Sequence, residues 1–249
     1  GHDRPDMSLP GGQDVLIREV AKANSNTVVV VNSGSPVAMP WVNEVDAILL
    51  SYYPGQEGGH ALADILFGDV NPSGKLTVSW PKRLEDNPAY LHYPGWKDVH
   101  YGERIFVGYR YYDTKGVEPL FPFGHGLSYT QFKYRELGVP KQVKRGEDLE
   151  ISVMVENMGK ITGQEVVQVY IHDVESTLMR PQKELKGFEK VQLDPGQSKI
   201  VKFALGPRAL SYYDSHEQSW IAEAGMFEVW IGSSSQDIRL VGSFELAAE

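Results

Sequence analysis

The chain has 249 residues, 41% of them apolar and 23% charged, with a net charge of −9 and no cysteine. Disulfides and thiolate chemistry are thereby excluded, and the acidic balance argues against nucleic acid as a partner, because phosphate binding needs a basic face. No apolar run approaches the ~20 residues that span a bilayer, so no membrane partner is expected. The first ten residues are polar and show no signal-like pattern, and no Asn-x-Ser/Thr sequon is present; the compartment stays unassigned.

Residues 13–24 place Val15, Leu16, Val20 and Ala23 at helical spacing behind Pro10-Gly11-Gly12, which predicts a helix. Thr27-Val28-Val29-Val30-Val31 is an unbroken β-branched run, which predicts a strand buried on both faces, as in parallel sheets. Ala47-Ile48-Leu49-Leu50 reads as a second such strand, residues 57–67 as a helix stopped by Gly68, and Leu76-Thr77-Val78-Ser79-Trp80 as a third short strand. Strands alternating with helices predict a three-layer α/β architecture. A sheet of three strands leaves apolar faces uncovered, so residues 1–81 read as part of a domain whose other strands lie upstream. Self-association through the uncovered face is an expectation that follows. Residues 82–136 are crowded with proline, glycine and tyrosine and read as an irregular connecting segment, too aromatic for a disordered linker. From residue 137 to 249 short strands and turns alternate. Leu149 to Val155, Val166 to Ile171, Lys199 to Leu205, Phe227 to Gly232 and Ile238 to Val241 predict an all-β sandwich of immunoglobulin or fibronectin type III style.

Several chemical motifs fall short by one or two residues. Asn71-Pro72-Ser73-Gly74-Lys75 is close to a phosphate-binding loop, but Asp69 and Leu76 stand where glycine and a hydroxyl residue are required. Gly126-Leu127-Ser128-Tyr129-Thr130 misses a serine-hydrolase elbow at its last position. The seven histidines have no metal-ligand spacing, so no metal or other cofactor is expected, and His60, His125 and His216 read as surface or polar-packing residues. Glu57 reads as a helix N-terminal acid favoured by the dipole rather than a catalytic carboxylate, and Glu103 equally as one half of an ion pair with Arg104 or Arg110 or as a functional carboxylate. Trp96, Trp220 and Trp230 could form a sugar-stacking platform, although the alternation around Trp230 suits a core position better.

Three ordered blocks then point to a family. Tyr53-Pro54-Gly55-Gln56-Glu57-Gly58-Gly59, Ala63-Asp64-Ile65-Leu66-Phe67-Gly68-Asp69 and Asn71 to Leu76 form the first. Phe106 to Tyr112 and Phe121 to Thr130 form the second. Arg180-Pro181, Lys183 to Phe188 and Leu210 to Asp214 form the third. Together they resemble the C-terminal portion of family 3 glycoside hydrolases of the β-glucosidase type. The resemblance implies the closing part of an (α/β)6 sandwich domain followed by a fibronectin type III-like domain, with an N-terminal (β/α)8 barrel as partner. It implies a retaining reaction on β-glucosides in which a barrel aspartate is the nucleophile and a glutamate of the sandwich domain is the acid/base. The family segment Glu-Gly-x-Asp-Arg matches Gly1-His2-Asp3-Arg4 from its second position. The resemblance therefore places the glutamate just before Gly1, and His2, Asp3 and Arg4 on the loop lining the substrate. On this reading no catalytic residue lies in the 249 residues, and the chain alone is inactive. The alternative is a non-catalytic module that binds carbohydrate or protein, or stabilises the enzyme. The resemblance also implies that the aromatics of Tyr109 to Tyr112 pack between domains.

Overall fold

The computed structural model describes residues 4–248. It divides into two compact units interleaved along the chain. The first comprises the residues up to Val70, Trp80–Gly102 and Glu118–Phe121. The second comprises Asn71–Ser79, Glu103–Val117 and the residues from Pro122 onward.

In the first unit, helix α1 (Gln13–Ala23) has Asp14 in its first turn and Lys22 in its last, both favourable to the helix dipole. Strands β1 (Val28–Val31) and β2 (Ala47–Leu50) pair in parallel, Val28 opposite Ala47 and Val31 opposite Leu50. Helix α2 (Gly58–Phe67) follows and ends at Gly68 in the left-handed conformation, φ 86°, the geometry glycine adopts without steric cost. Met7, Val31, Val37, Met39, Trp41 and Trp80 are buried. The Trp41 indole N–H donates to Asp14 Oδ1 at 2.7 Å, fastening the segment before β2 to α1.

Two expectations need correction here. The β1 run is not buried on both faces: Val28 and Val30 are exposed, as is the apolar stripe of α1, with Leu16 63% exposed. The described residues supply no layer over those faces. Nor is Leu76–Trp80 a strand of the parallel sheet. Leu76 N–H donates to His125 O and Leu76 O accepts from Gly124 N, each at 2.8 Å, while Trp80 makes an isolated antiparallel bridge to Phe121. The backbone groups that a ladder would use are spent on the turn at residues 121–125.

The second unit is a two-sheet sandwich. Its strands are β3 (Phe132–Gly138), β4 (Gln142–Val143), β5 (Leu149–Asn157), β6 (Gly163–Asp173), β7 (Glu184–Leu193), β8 (Ser198–Leu205), β11 (Gly225–Gly232) and β12 (Ile238–Leu246), with a small hairpin of β9 (Tyr212–Asp214) and β10 (Ser219–Ile221). One sheet runs β4-β12-β11-β6-β7 and the other β3-β5-β8. Alternate residues of β5 (Leu149, Ile151, Val153, Val155) meet Val167, Val169, Ile171, Val229 and Ile231 in one continuous core, as period-two strands facing each other must. Trp230 lies half-buried on the outer face of its sheet, not in the core, because Val229 and Ile231 take the inward positions. Its indole N–H donates to Glu228 Oε2 at 2.8 Å, and Lys183 Nζ stands 5.3 Å over its ring.

Helix α3 (Tyr109–Lys115) covers the outer face of the five-stranded sheet. Tyr109 stacks on Phe123 at 4.8 Å, meets Tyr170 edge-on at 5.8 Å, and accepts a hydrogen bond from Leu185 N at 2.7 Å. Asp113 pairs with Lys183 at 2.9 Å and Arg110 with Glu184 at 3.1 Å. The aromatic helix is thus docked within the second unit, and the centre of β6 is buried on both faces beneath it.

The near-miss phosphate loop has a structural task. Asn71 Oδ1 accepts from Ser128 Oγ at 3.0 Å and from Tyr129 N at 2.8 Å, and Asn71 Nδ2 donates to Thr162 O at 3.1 Å. Lys75 Nζ reaches Glu165 Oε1 and Gly126 O, each at 2.9 Å. Gly126 sits so close to Gly74 O that any Cβ would collide with backbone. The serine of the apparent hydrolase elbow is consumed by the same clip, which holds residues 71–76 and 126–129 against β6.

Candidate functional site

In parallel sheets, ligands bind beyond the carboxyl ends of the strands, where loops diverge. In the first unit that edge is formed by residues 32–36 after β1 and residues 51–57 after β2. Ser51 N donates to Val31 O at 2.9 Å, so both loops leave the sheet side by side. Ser33 Oγ donates to Ser35 O at 2.7 Å and closes the first loop. Tyr53 lays its ring over Gly34, where a Cβ would overlap the ring, and remains 83% exposed. Tyr52 adopts φ 50°, a left-handed conformation that a bulky residue occupies only when its surroundings impose it. Its hydroxyl is buried without a hydrogen-bond partner among the described residues.

Arg4 is anchored at this edge. Its Nη2 donates to Pro36 O at 2.6 Å, and Ala38 N donates to Met7 O at 2.7 Å, so residues 4–8 run along the first loop. His2 and Asp3, the other residues expected on this loop, lie outside the described residues. Glu57 occupies the N-cap position of α2 without a side-chain capping bond, and its Oε2 meets His60 Nδ1 at 2.7 Å, both side chains largely exposed. That is the helix-terminal role expected of it. The edge offers a guanidinium, hydroxyls and a flat tyrosine face, which is binding chemistry.

Glu103 does not pair with arginine among the described residues. Arg110 is taken by Glu184, and Glu103 Oε2 is buried without a hydrogen-bond partner. His60 and His216 are exposed, whereas His125 is partly buried in the clip, where desolvation, reinforced by the Lys75 charge, holds its pKa below the ordinary histidine value. No group of three or more metal-ligating side chains occurs among the described residues, and none of their helices is long and apolar enough to cross a membrane. The packing of Tyr53 on Gly34 is the feature sequence reasoning missed. An aromatic in the loop after β2, with a glycine in the neighbouring loop after β1, was the signal for it.

Comparison with known proteins is consistent along the whole chain. Residues 1–129 match the glycosyl hydrolase family 3 C-terminal domain, and residues 165–235 match a fibronectin type III-like domain. A thermostable beta-glucosidase B of Acetivibrio thermocellus is 54% identical over 96% of this chain and 32% of its own length. A beta-glucosidase of Bacteroides ovatus is 48% identical over 98% of this chain and 34% of its own. The crystal structure of a beta-glucosidase from Kluyveromyces marxianus in complex with glucose superposes with a TM-score of 0.94 at 46% identity, covering 99% of this chain and 30% of that one. The chain spans about a third of the length of the curated relatives it matches.

Proposed function

Because this chain belongs to glycosyl hydrolase family 3, as its C-terminal domain with a fibronectin type III-like domain, we propose that it serves a retaining β-glucosidase that removes terminal β-D-glucosyl residues. The observation that carries the reading is the 54% identity to a beta-glucosidase over 96% of the chain but 32% of the relative. Retaining hydrolysis needs two carboxyl groups about 5 Å apart across the scissile bond, one as nucleophile and one as acid/base. The carboxylate at the strand edge, Glu57, is engaged by His60. The family resemblance assigns the nucleophile to a (β/α)8 barrel partner and the acid/base to a residue outside these 249. The chain alone is inactive on this account, and no cofactor takes part.

Within the chain the proposed division is residues 1–81 for the sandwich-domain portion, 82–136 for the connecting segment and 137–249 for the fibronectin-like domain. His2, Asp3 and Arg4 are assigned to the substrate-facing loop. The anchoring of Arg4 at the carboxyl edge supports that assignment. The exposed stripe of Val15, Leu16 and Val20 on α1, with Phe67 on α2, supports a partner surface, taken by the rest of the enzyme or by a second copy.

Hydrolysis of 4-nitrophenyl β-D-glucoside tests the reading, measured with the chain alone and mixed with a separately produced barrel portion that includes the expected glutamate. Activity confined to the mixture is the expected result. Turnover by the chain alone would place a catalytic pair within it and overturn the assignment. Light scattering on the eluting chain reports self-association, for which a clean monomer is the contrary result.

A further inference from the structure

The sandwich carries a cleft built from its own turns and strand ends. Its volume is about 450 Å³, within the range of small-molecule sites. Four segments remote in sequence build it: the turn before β5, the short 3-10 helix Pro207–Leu210, strand β10 and the end of β12. The floor is apolar, from buried Leu210 and Leu246. One wall is the indole of Trp220, which the Arg208 guanidinium overlies at 4.1 Å and the Tyr213 ring meets edge-on at 5.6 Å. The rim carries Arg145, Arg208 and Glu147.

The charge at the rim is unbalanced. Arg145 Nη2 donates to Ala222 O at 3.2 Å, and Glu147 Oε2 accepts from Lys144 N at 3.4 Å. Among the described residues neither arginine has a carboxylate partner, and the N–H donors of Arg208 make no hydrogen bond. Stacking on the indole fixes the guanidinium plane while leaving its donor edge free, the geometry that receives a carboxylate through two parallel bonds. In a chain of net charge −9, the lining of this cleft carries two cations and one carboxylate, with Asp148 beside it near Gly206. An apolar floor and an aromatic wall suit the C–H face of a sugar ring.

We propose that this cleft binds a carboxylate-bearing pyranose, a hexuronic acid or its glycoside, with the ring against Trp220 and Leu210 and the carboxylate on Arg208 and Arg145. A neutral glucoside would leave both guanidinium edges unused, and a bare anion would leave the apolar floor uncovered. The site is independent of the glycosidase reading, and its test involves no hydrolysis.

The test is calorimetric titration of the whole chain with methyl β-D-glucuronide, methyl β-D-glucoside and inorganic phosphate. The glucuronide and glucoside differ at C6, so gaining charge-assisted bonds there should make the glucuronide bind about tenfold tighter or more. Arg208→Gln and Arg145→Gln, both at exposed positions, should each weaken glucuronide binding by about tenfold and leave the circular dichroism unchanged. Trp220→Phe should weaken it less than Trp220→Ala. Equal binding of glucuronide and glucoside would overturn the proposal. So would indifference to both arginine substitutions, the absence of any glucuronide heat, or phosphate binding as tightly as the glucuronide.

Discussion

Replacing Lys75 by methionine tests whether the glycine- and proline-rich signature at residues 71–76 is a clip or a ligand loop. Lys75 Nζ lies 2.9 Å from Glu165 Oε1 and 2.9 Å from Gly126 O, with side-chain exposures of 13% for Lys75 and 9% for Glu165. Methionine keeps the apolar stem and removes the cation, leaving a nearly buried carboxylate whose remaining local donor is Val166 N at 2.7 Å. Removing one partner of a buried pair costs ~3–5 kcal/mol, much of it the desolvation of the partner left behind. The residual exposure here puts the expectation at the lower end, about 3 kcal/mol. For a unit of this size that corresponds to a fall in Tm of about 6–12 °C. Urea unfolding of Lys75→Met, Glu165→Gln and the double variant reads the effect as a shift in midpoint at unchanged slope. Because the double variant no longer buries an unpaired charge, a coupling of about 2 kcal/mol is expected between the two sites. A Lys75→Met variant within about 0.5 kcal/mol of the parent would refute the clip. So would purely additive single effects.

Two glycines separate close approach to backbone from close approach to a mobile ring. Gly126→Ala meets Gly74 O, which cannot move without opening the clip, and should cost about 2–3 kcal/mol in the same urea assay. Gly34→Ala meets only the far end of the exposed Tyr53 side chain, which can swing away, so it should cost less than about 1 kcal/mol and show itself as displaced Tyr53 ring resonances. Tyr109→Phe keeps both ring contacts but leaves Leu185 N–H without its acceptor, an expected loss of about 1–2 kcal/mol, whereas Tyr109→Ala should lose about 3–5 kcal/mol and release α3 to proteolysis. His125 makes the second unit acid-sensitive. Burial, with the Lys75 charge adding to it, lowers its pKa in the folded state, so the unfolded chain takes up the proton first once the pH drops below about 6.5. The stability His125 contributes is complete above that pH and is lost as pH falls toward the folded-state value. His125→Gln should therefore flatten the urea midpoint across mildly acidic pH, and an unchanged slope would count against it.

Local pattern and ordered motifs were enough to determine the family, the order of architectures and most elements. The helical spacing at residues 13–24 matches α1 within one residue, and Gly68 terminates α2 as its freedom at positive φ allows. The sandwich strands were legible because each core position alternates with a solvent position, a period of two that a one-residue slip would destroy. Tertiary structure decided whatever depends on partners far along the chain. The Leu76–Trp80 run looks like a strand locally, yet its hydrogen bonds go to residues 121–125. Trp230 alternates with the wrong parity for the core, a matter of which face the second sheet covers. Glu103 was matched to Arg104 or Arg110, close to it in sequence, while Arg110 found Glu184 across α3 and β7. The cleft around Trp220 draws its cations from residues 145 and 208, because a site assembled from loops at one end of a sandwich has no sequence spacing to betray it. Periodicity records which residues face inward; only the folded chain records what they face.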